Sequence, residues 1–197
     1  MTKVILSITL FFISITSLAV ANDIAAIERY LNSLHNVTAD FVQTDSQGKQ
    51  QKGKFFLSRP GKMRWQYEIP KKILIIINNK NLIHFDQQLD QVSYFKNKDY
   101  FFSLLAKKHI KLTSEDLLVS NIIQQAKKTL LTIRKKNQLG EAVTIVFSQV
   151  KLKLIGLKII DGANNHVAIE FSNLHEVPSL DSKLFILHNH KISRSNR

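Results

Sequence analysis

The chain has 197 residues, a hydrophobic content of 44%, no cysteine and a formal net charge of +13. The length suits one domain with a sizeable core, and the lack of cysteine excludes disulfides, iron–sulfur clusters and thiol catalysis. A strongly positive charge favours anionic partners such as lipid headgroups, acidic proteins or nucleic acid. No run of basic residues reaches five, which argues against a nucleic-acid partner.

The first 21 residues have the pattern of an export signal. Lys3 supplies a positive start, residues 4–18 form an apolar run in which the polar breaks are Ser and Thr alone, and Ala19-Val20-Ala21 gives the small residues that a signal peptidase requires. The apolar run is short for a bilayer span, which needs about 20 residues. We therefore predict that residues 1–21 are a cleaved signal peptide rather than a retained anchor, and that residues 22–197 form a single domain outside the cytoplasm.

The next segment is predicted to be a helix over residues 24–35, capped by Asp23. One apolar stripe recurs at helical spacing and comprises Ile24, Ile27, Leu31 and Leu34. The polar residues Glu28, Arg29 and Asn32 are expected on the opposite side of this helix.

The remainder is dominated by short strands separated by polar turns, and we predict ten to eleven antiparallel strands. The clearest is the strand in which Met63, Trp65 and Tyr67 alternate with polar residues. Residues 73–77 are apolar on both sides, so that strand should be covered on both faces. Residues 99–106 lack the alternation and predict a short helix, Gly156 predicts a bulge, and residues 185–188 are a candidate last edge strand.

No convincing catalytic or metal-binding set is present in the sequence. The sequence lacks the G-x-S-x-G motif of serine hydrolases and the H-E-x-x-H motif of zinc proteases. It also lacks a glycine-rich phosphate-binding loop. His188 and His190 could share a metal, but they lie in a basic tail without a nearby carboxylate, which favours a solvated tail. We expect no catalytic residue, no metal and no cofactor.

Arg59 is unusual because the alternation places it on the same face as Phe55 and Leu57. A guanidinium in an apolar interior must find partners, since an unpaired buried charge is strongly unfavourable. Either Arg59 ends its strand and reaches water at the rim, or its five donors bind the backbone carbonyls of a neighbouring element. The second reading makes Arg59 a latch.

The residues around Arg59 also form an extended pattern. It runs as Leu34-x6-Phe41-x-Gln43, then Gly53-x-Phe55-x-Leu57-x-Arg59-Pro60, then Met63-Arg64-Trp65-x-Tyr67-x-x-Pro70, and it continues through residues 78–92. This stretch, about residues 31–106, resembles the outer-membrane lipoprotein carrier family, the LolA-like proteins. The second half of the chain agrees with that family in strand pattern and length.

The resemblance implies an α+β fold, a curved and incompletely closed antiparallel β-barrel with a helical lid across its mouth. It implies an apolar inner face that binds the acyl chains of a lipoprotein, lined here by Phe55, Leu57, Met63, Trp65 and Tyr67. Arg59 matches the family arginine that binds backbone atoms of the lid helices. The matching lid segments lie around Ile27 and Leu31 and around Phe102 and Leu105.

The resemblance further implies a monomeric periplasmic chaperone without enzymatic activity. Its partners would be acylated lipoproteins, an ATP-driven lipoprotein-releasing complex of the inner membrane, and a receptor in the outer membrane or that membrane itself. Two rivals stay within binding proteins: a carrier or sensor of another lipid, and a basic scaffold for an acidic polymer. A third is a secreted hydrolase that uses His84 with Asp86, or a metal at His188 and His190.

Overall fold

The computed structural model describes residues 15–68, 70–79, 81–96, 101–136 and 140–187, and within these the side chains of residues 15–22, 101 and 102 are left aside. The chain forms helix α1 (Ile15–Ser33), eleven strands and two 3-10 helices, Phe101–Ala106 and Ser182–Phe185. The strands are β1 Asn36–Asp45, β2 Gln50–Ser58, β3 Lys62–Tyr67, β4 Ile73–Asn78, β5 Asn81–Asp86, β6 Gln91–Lys96, β7 Leu117–Gln125, β8 Lys128–Lys135, β9 Ala142–Ser148, β10 Lys153–Ile160 and β11 His166–Glu176.

All eleven strands form one antiparallel sheet in the order β6-β5-β4-β3-β2-β1-β11-β10-β9-β8-β7. The first and last strands pair in the middle, so each half of the chain builds one wing of the sheet. The wings end at β6 and β7, which are not paired with each other, and the sheet stays open between them. The predicted α+β fold, an incompletely closed antiparallel barrel of ten to eleven strands with a helix, is confirmed.

Side-chain alternation sets the two faces of the sheet. Met63 and Trp65 are buried on the inner face, while Arg64 between them lies on the outer face. The predicted irregularity at Gly156 is also confirmed, because the pairing of β10 with β9 shifts register between Leu154 and Gly156. A Cβ at Gly156 would lie 2.6 Å from the carbonyl oxygen of Ile169, so no larger residue fits there without movement.

The helix differs from its prediction at both ends. It already includes Ile15, the first described residue, and ends at Ser33, so Asp23 lies inside it, where its carboxylate accepts a hydrogen bond from the Gln124 side chain at 3.1 Å. The helix extends before residue 24 because no glycine or proline between Ile15 and Ser33 interrupts it. Within the described residues, no helix combines the length and the apolar character that a bilayer crossing needs. Cleavage after Ala21 stays a prediction, and its position falls within α1.

The outer face carries a second, smaller apolar cluster. Leu74 and Ile76 of β4 are buried there against Phe185, which is 1% exposed. The prediction that this strand is covered on both faces is therefore confirmed. The candidate edge strand over residues 185–188 is wrong: Phe185 ends the 3-10 helix Ser182–Phe185, since its ring fills the outer-face cluster instead of extending the sheet. We call residues 180–187 the C-terminal strap.

Candidate functional site

Two chain segments cover the inner face of the sheet, and together we call them the lid: helix α1 and the segment of residues 101–112. From α1, Ile27 and Leu31 are 2% and 1% exposed within the main core cluster. From the other segment, Leu104 and Leu105 are 4% and 5% exposed in the same cluster. The predicted apolar stripe of α1 thus packs on the sheet. The second segment is a 3-10 helix rather than an α-helix, and the Phe102 side chain lies outside the description.

The guanidinium of Arg59 joins the two lid segments, at the end of α1 and just after the 3-10 helix Phe101–Ala106. At the end of α1 it reaches the carbonyl oxygens of Leu31, in the last turn, and of Leu34, just beyond the helix, the latter at 3.3 Å. From the other segment it reaches the carbonyl oxygens of Lys107, at 2.9 Å, and Lys108, at 3.3 Å. It donates in addition to Oδ1 of Asn32 at 3.1 Å. The Arg59 side chain is thus half-buried and donates hydrogen bonds to both lid segments.

The partners of Arg59 are backbone dipoles and an amide rather than a carboxylate. The last carbonyls of a helix lack intrahelical partners and carry partial negative charge, which suits a cation. Burial lowers the pKa of Arg59, although a guanidinium stays charged in proteins. Hydrogen bonds from a charged donor contribute about 1.5–3 kcal/mol each, so this group can hold the lid shut and still release it.

Glu28 and Asn32 add a second set of contacts between the lid segments, which the sequence analysis did not foresee. The Asn32 side chain accepts from the backbone N–H of Ile110 at 2.9 Å and donates to its carbonyl oxygen at 2.8 Å. Oε1 of Glu28 accepts from the backbone N–H of Leu112 at 2.6 Å. Their spacing of four residues puts both on one side of α1, a signal that was present in the sequence. That side faces residues 110–112, not the open solvent.

The five predicted cavity residues lie together on the inner face, but the space between them is filled. Phe55, Leu57, Met63 and Trp65 are 0–2% exposed and belong to the main core cluster. The ring centroids of Phe55 and Trp65 are 4.5 Å apart, and Phe171 from β11 packs 5.3 Å from Phe55. The structure therefore differs from an open hollow: protein side chains occupy the position that was expected to hold acyl chains.

The packing around Phe41 explains why Gln43, Gly53, Trp65 and Tyr67 occur in the sequence pattern described above. The Phe41 ring lies edge-on to Trp65 and Tyr67, with centroids 5.1 Å apart in each pair. A Cβ at Gly53 would lie 2.6 Å from that ring, so only glycine leaves it room. The Tyr67 hydroxyl donates to Oε1 of Gln43 at 2.7 Å, and burial raises the pKa of Tyr67 to about 12.

The residues considered for chemistry do not assemble into a site. Oδ1 of Asp86 accepts the backbone N–H groups of Gln88 and Leu89, at 2.9 and 3.1 Å, and so shapes the turn after β5. His84 lies two positions before it on the same strand. His188 and His190 fall outside the described residues. Among those that are described, no three His, Cys, Asp or Glu side chains come close enough to hold a metal ion.

Comparison with known proteins supplies the family. The family model described as "Outer membrane lipoprotein carrier protein LolA" matches residues 32–188. The chain belongs to the LolA family. Membership points to a binding protein rather than an enzyme.

Individual relatives of this LolA-family chain are distant. An outer-membrane lipoprotein carrier protein of Pseudomonas paraeruginosa is 28% identical over 186 residues, which cover 86% of either chain. An uncharacterized protein of Rickettsia prowazekii is 28% identical over 195 residues, covering 96% of this chain and 90% of that one. The crystal structure of an uncharacterized conserved protein from Thermus thermophilus superposes with a TM-score of 0.51 and covers 84% of this chain and 92% of that one. Its 8% identity makes this a likeness of fold alone.

Proposed function

We propose that the protein is a periplasmic carrier that binds the acyl chains of lipoproteins released from the inner membrane and delivers them to the outer membrane. The observation that supports this most is the Arg59 contact. One side chain binds backbone carbonyl oxygens of both lid segments, at the rim of an apolar interior. Release of that one group loosens both segments at once, which a carrier needs in order to load and unload.

The filled interior corresponds, in this proposal, to the closed carrier without cargo. Apolar side chains of the lid, such as Leu31 and Leu105, cover the inner face. An incoming acyl chain replaces these lid contacts with contacts of the same chemical kind. Because one apolar surface is exchanged for another, the apolar contribution to opening is small, and the polar contacts of Arg59, Asn32 and Glu28 set the balance between closed and open states.

The energy of lipid transfer also calls for partners. Taking the methylenes of two or three acyl chains from water, at about 0.8 kcal/mol each, would exceed the ceiling of about 20 kcal/mol for non-covalent binding. The relevant transfer is from membrane to protein, which is near neutral because both environments are apolar. We therefore propose that an ATP-driven releasing complex in the inner membrane loads the carrier, and that a receptor with a more favourable cavity, or the outer membrane itself, accepts the cargo.

Native mass spectrometry of the protein isolated from the cell envelope tests this proposal. We expect one acylated polypeptide bound to each chain, released when detergent is added. A protein that carries only phospholipid, glycolipid or a free lipid would instead be a carrier or sensor of that lipid. Isolation without any bound lipid, under conditions where a known carrier keeps its cargo, would contradict the proposal.

A further inference from the structure

The charged side chains are divided unequally between the two ends of the sheet. Successive strands run in opposite directions, so their connections fall alternately at one end and at the other. We call the end that contains Arg59 the latch end. It comprises the turns and strand termini at residues 33–36, 58–62, 78–79, 125–128, 148–153 and 176–178, and residues 81 and 96.

The latch end is strongly basic. Lysines stand at its strand termini and turns: Lys62, Lys96, Lys127, Lys128, Lys151 and Lys153. Two more exposed lysines, Lys107 and Lys108, belong to the lid loop whose carbonyl oxygens accept from Arg59. Among the described residues, the carboxylates at this end are Glu176, in its strand termini, and Asp23 of α1, which accepts from Gln124 near the end of β7. Positive charge at this end is therefore left largely unbalanced.

The opposite end of the sheet carries both signs. Its turns and strand termini hold the acidic residues Asp45, Glu68, Asp86, Asp90, Glu141 and Asp161. Its basic residues are Lys49, Lys71, Lys72, Lys135 and Lys136. The two sets roughly cancel, so the excess positive charge of the chain is concentrated at the latch end. A molecule with this distribution approaches an anionic surface with the latch end first.

Two exposed apolar side chains, which we call the apolar tip, lie at the latch end beside the lysines. Val150, in the turn between β9 and β10, is 77% exposed and is followed directly by Lys151. Phe95, next to the end of β6, is 44% exposed at the same end. An exposed apolar residue beside lysines fits the boundary between lipid headgroups and acyl chains, where apolar groups enter and ammonium groups stay with the phosphates.

We propose that the latch end docks on an anionic lipid bilayer, with Val150 entering the headgroup region. Lipid is favoured over an acidic protein because the charges stand on turns from separate hairpins, spread across one end of the sheet. Lysine, a point charge without the fork geometry of arginine, suits a fluid planar surface. Docking would bring Lys107 and Lys108 to the membrane together with the loop that holds Arg59. This inference goes beyond the proposed function, since it concerns the protein without cargo.

Flotation with lipid vesicles tests the docking. We expect the purified, cargo-free protein to float with vesicles of phosphatidylcholine and phosphatidylglycerol, not with phosphatidylcholine alone, and to dissociate as salt is raised. Each lysine near the surface contributes about fivefold in affinity. Joint substitution of Lys127→Gln, Lys128→Gln, Lys151→Gln and Lys153→Gln should therefore weaken binding by about 100-fold or more. The control has the same change in charge at the other end: Lys49→Gln, Lys71→Gln, Lys72→Gln and Lys136→Gln.

A second pair of variants tests the apolar tip. Val150→Asp should weaken binding by at least about tenfold, whereas Leu89→Asp should leave it nearly unchanged, because Leu89 is 65% exposed in a turn at the opposite end. Thermal unfolding checks that all variants fold.

Three results would overturn the docking. They are absent flotation at low salt, equal losses in the two lysine variants, and binding of an acidic protein through the latch-end lysines without any affinity for vesicles. The vesicle assay contains no lipoprotein. A protein that does not bind lipoproteins could therefore still bind vesicles, and the two proposals can fail separately.

Discussion

Arg59 and Arg64 hold chain segments on opposite faces of the same sheet, and they do so differently. Arg59 binds carbonyl oxygens from two segments of the lid on the inner side. Arg64 donates one hydrogen bond to the strap, to the carbonyl oxygen of Leu184 at 2.8 Å, and two to Oε1 of Gln66 within its own strand. Burial lowers the pKa of both guanidinium groups.

The difference lies in what else secures each segment. The strap is anchored by Phe185, a fully buried ring among Leu74 and Ile76, so Arg64 is a minor addition to a permanent contact. The lid packs on the inner face through apolar side chains, and its polar contacts come from Arg59, Asn32 and Glu28. The strap is thus held mainly by an aromatic ring, whereas the lid, which opens in the proposed carrier, is held in addition by hydrogen bonds that meet at one cation.

The largest effect is expected from removal of the plug. Phe185→Ala should lower the free energy of unfolding by about 3–5 kcal/mol, because it leaves a cavity in the outer-face cluster. Ile186→Ala is the matched control, since Ile186 is 49% exposed and should change little. Urea unfolding measures both. A loss below about 1 kcal/mol for Phe185→Ala would mean that the strap is not anchored by this ring.

Removal of the latch should open the lid without unfolding the protein. In Arg59→Leu, the amide hydrogens of Ile110 and Leu112 should exchange roughly 10- to 100-fold faster, which corresponds to the loss of about 1.5–3 kcal/mol of charge-assisted bonding. Transfer of a lipoprotein from donor to acceptor membranes should fall in parallel. Arg64→Leu should leave exchange at both amides unchanged. Normal lipoprotein transfer by Arg59→Leu would show that Arg59 does not control the opening of the lid.

The buried Tyr67 hydroxyl should make stability fall at high pH. Burial raises the pKa of Tyr67 from 10.0 to about 12, so its contribution is fully present below pH 10 and is lost as the pH rises through 12. At about 1.4 kcal/mol per pKa unit, the loss approaches 3 kcal/mol. Tyr67→Phe should remove this part of the decline, as measured by urea unfolding from pH 9 to pH 12. Parallel curves for the two proteins would contradict the assignment.

The smallest effect concerns the second set of lid contacts. Glu28→Ala removes the acceptor for the backbone N–H of Leu112 and should weaken local protection there by about 1–2 kcal/mol, with little change in global stability. Arg29→Ala is the matched control, because Arg29 is exposed on the same helix. Equal exchange at Leu112 in the two variants would show that Glu28 does not hold the lid.

The fold was predictable from sequence where a pattern repeats locally. The alternation of Met63, Trp65 and Tyr67 identified β3 and its inner face, and Gly156 identified a bulge. The position of Arg59 on an apolar face indicated that its guanidinium needed partners, although not which carbonyl oxygens it would find. Each of these inferences uses neighbours within a few residues.

The features that escaped the sequence depend on contacts between distant segments. Residues 185–188 were predicted to be an edge strand, and only the apolar outer face of β4, far earlier in the chain, draws Phe185 into a 3-10 helix instead. Glu28 and Asn32 were expected on the side of the helix opposite the apolar stripe. Their partners could not be predicted because Ile110 and Leu112 lie in an irregular segment without periodicity. The filled interior could not be foreseen either, since alternation shows which side chains point inward but not how closely the lid approaches them.

The most direct test uses Trp65, the only tryptophan in the chain, which is 2% exposed at the centre of the inner face. A synthetic lipopeptide with a doxyl label on an acyl chain quenches tryptophan only by contact. We expect Trp65 fluorescence to be quenched as the lipopeptide binds, with saturation at one lipopeptide per protein, whereas the same peptide without acyl chains has no effect. Binding of the labelled lipopeptide with Trp65 unquenched would place the acyl chains elsewhere and contradict an acyl-chain site on the inner face.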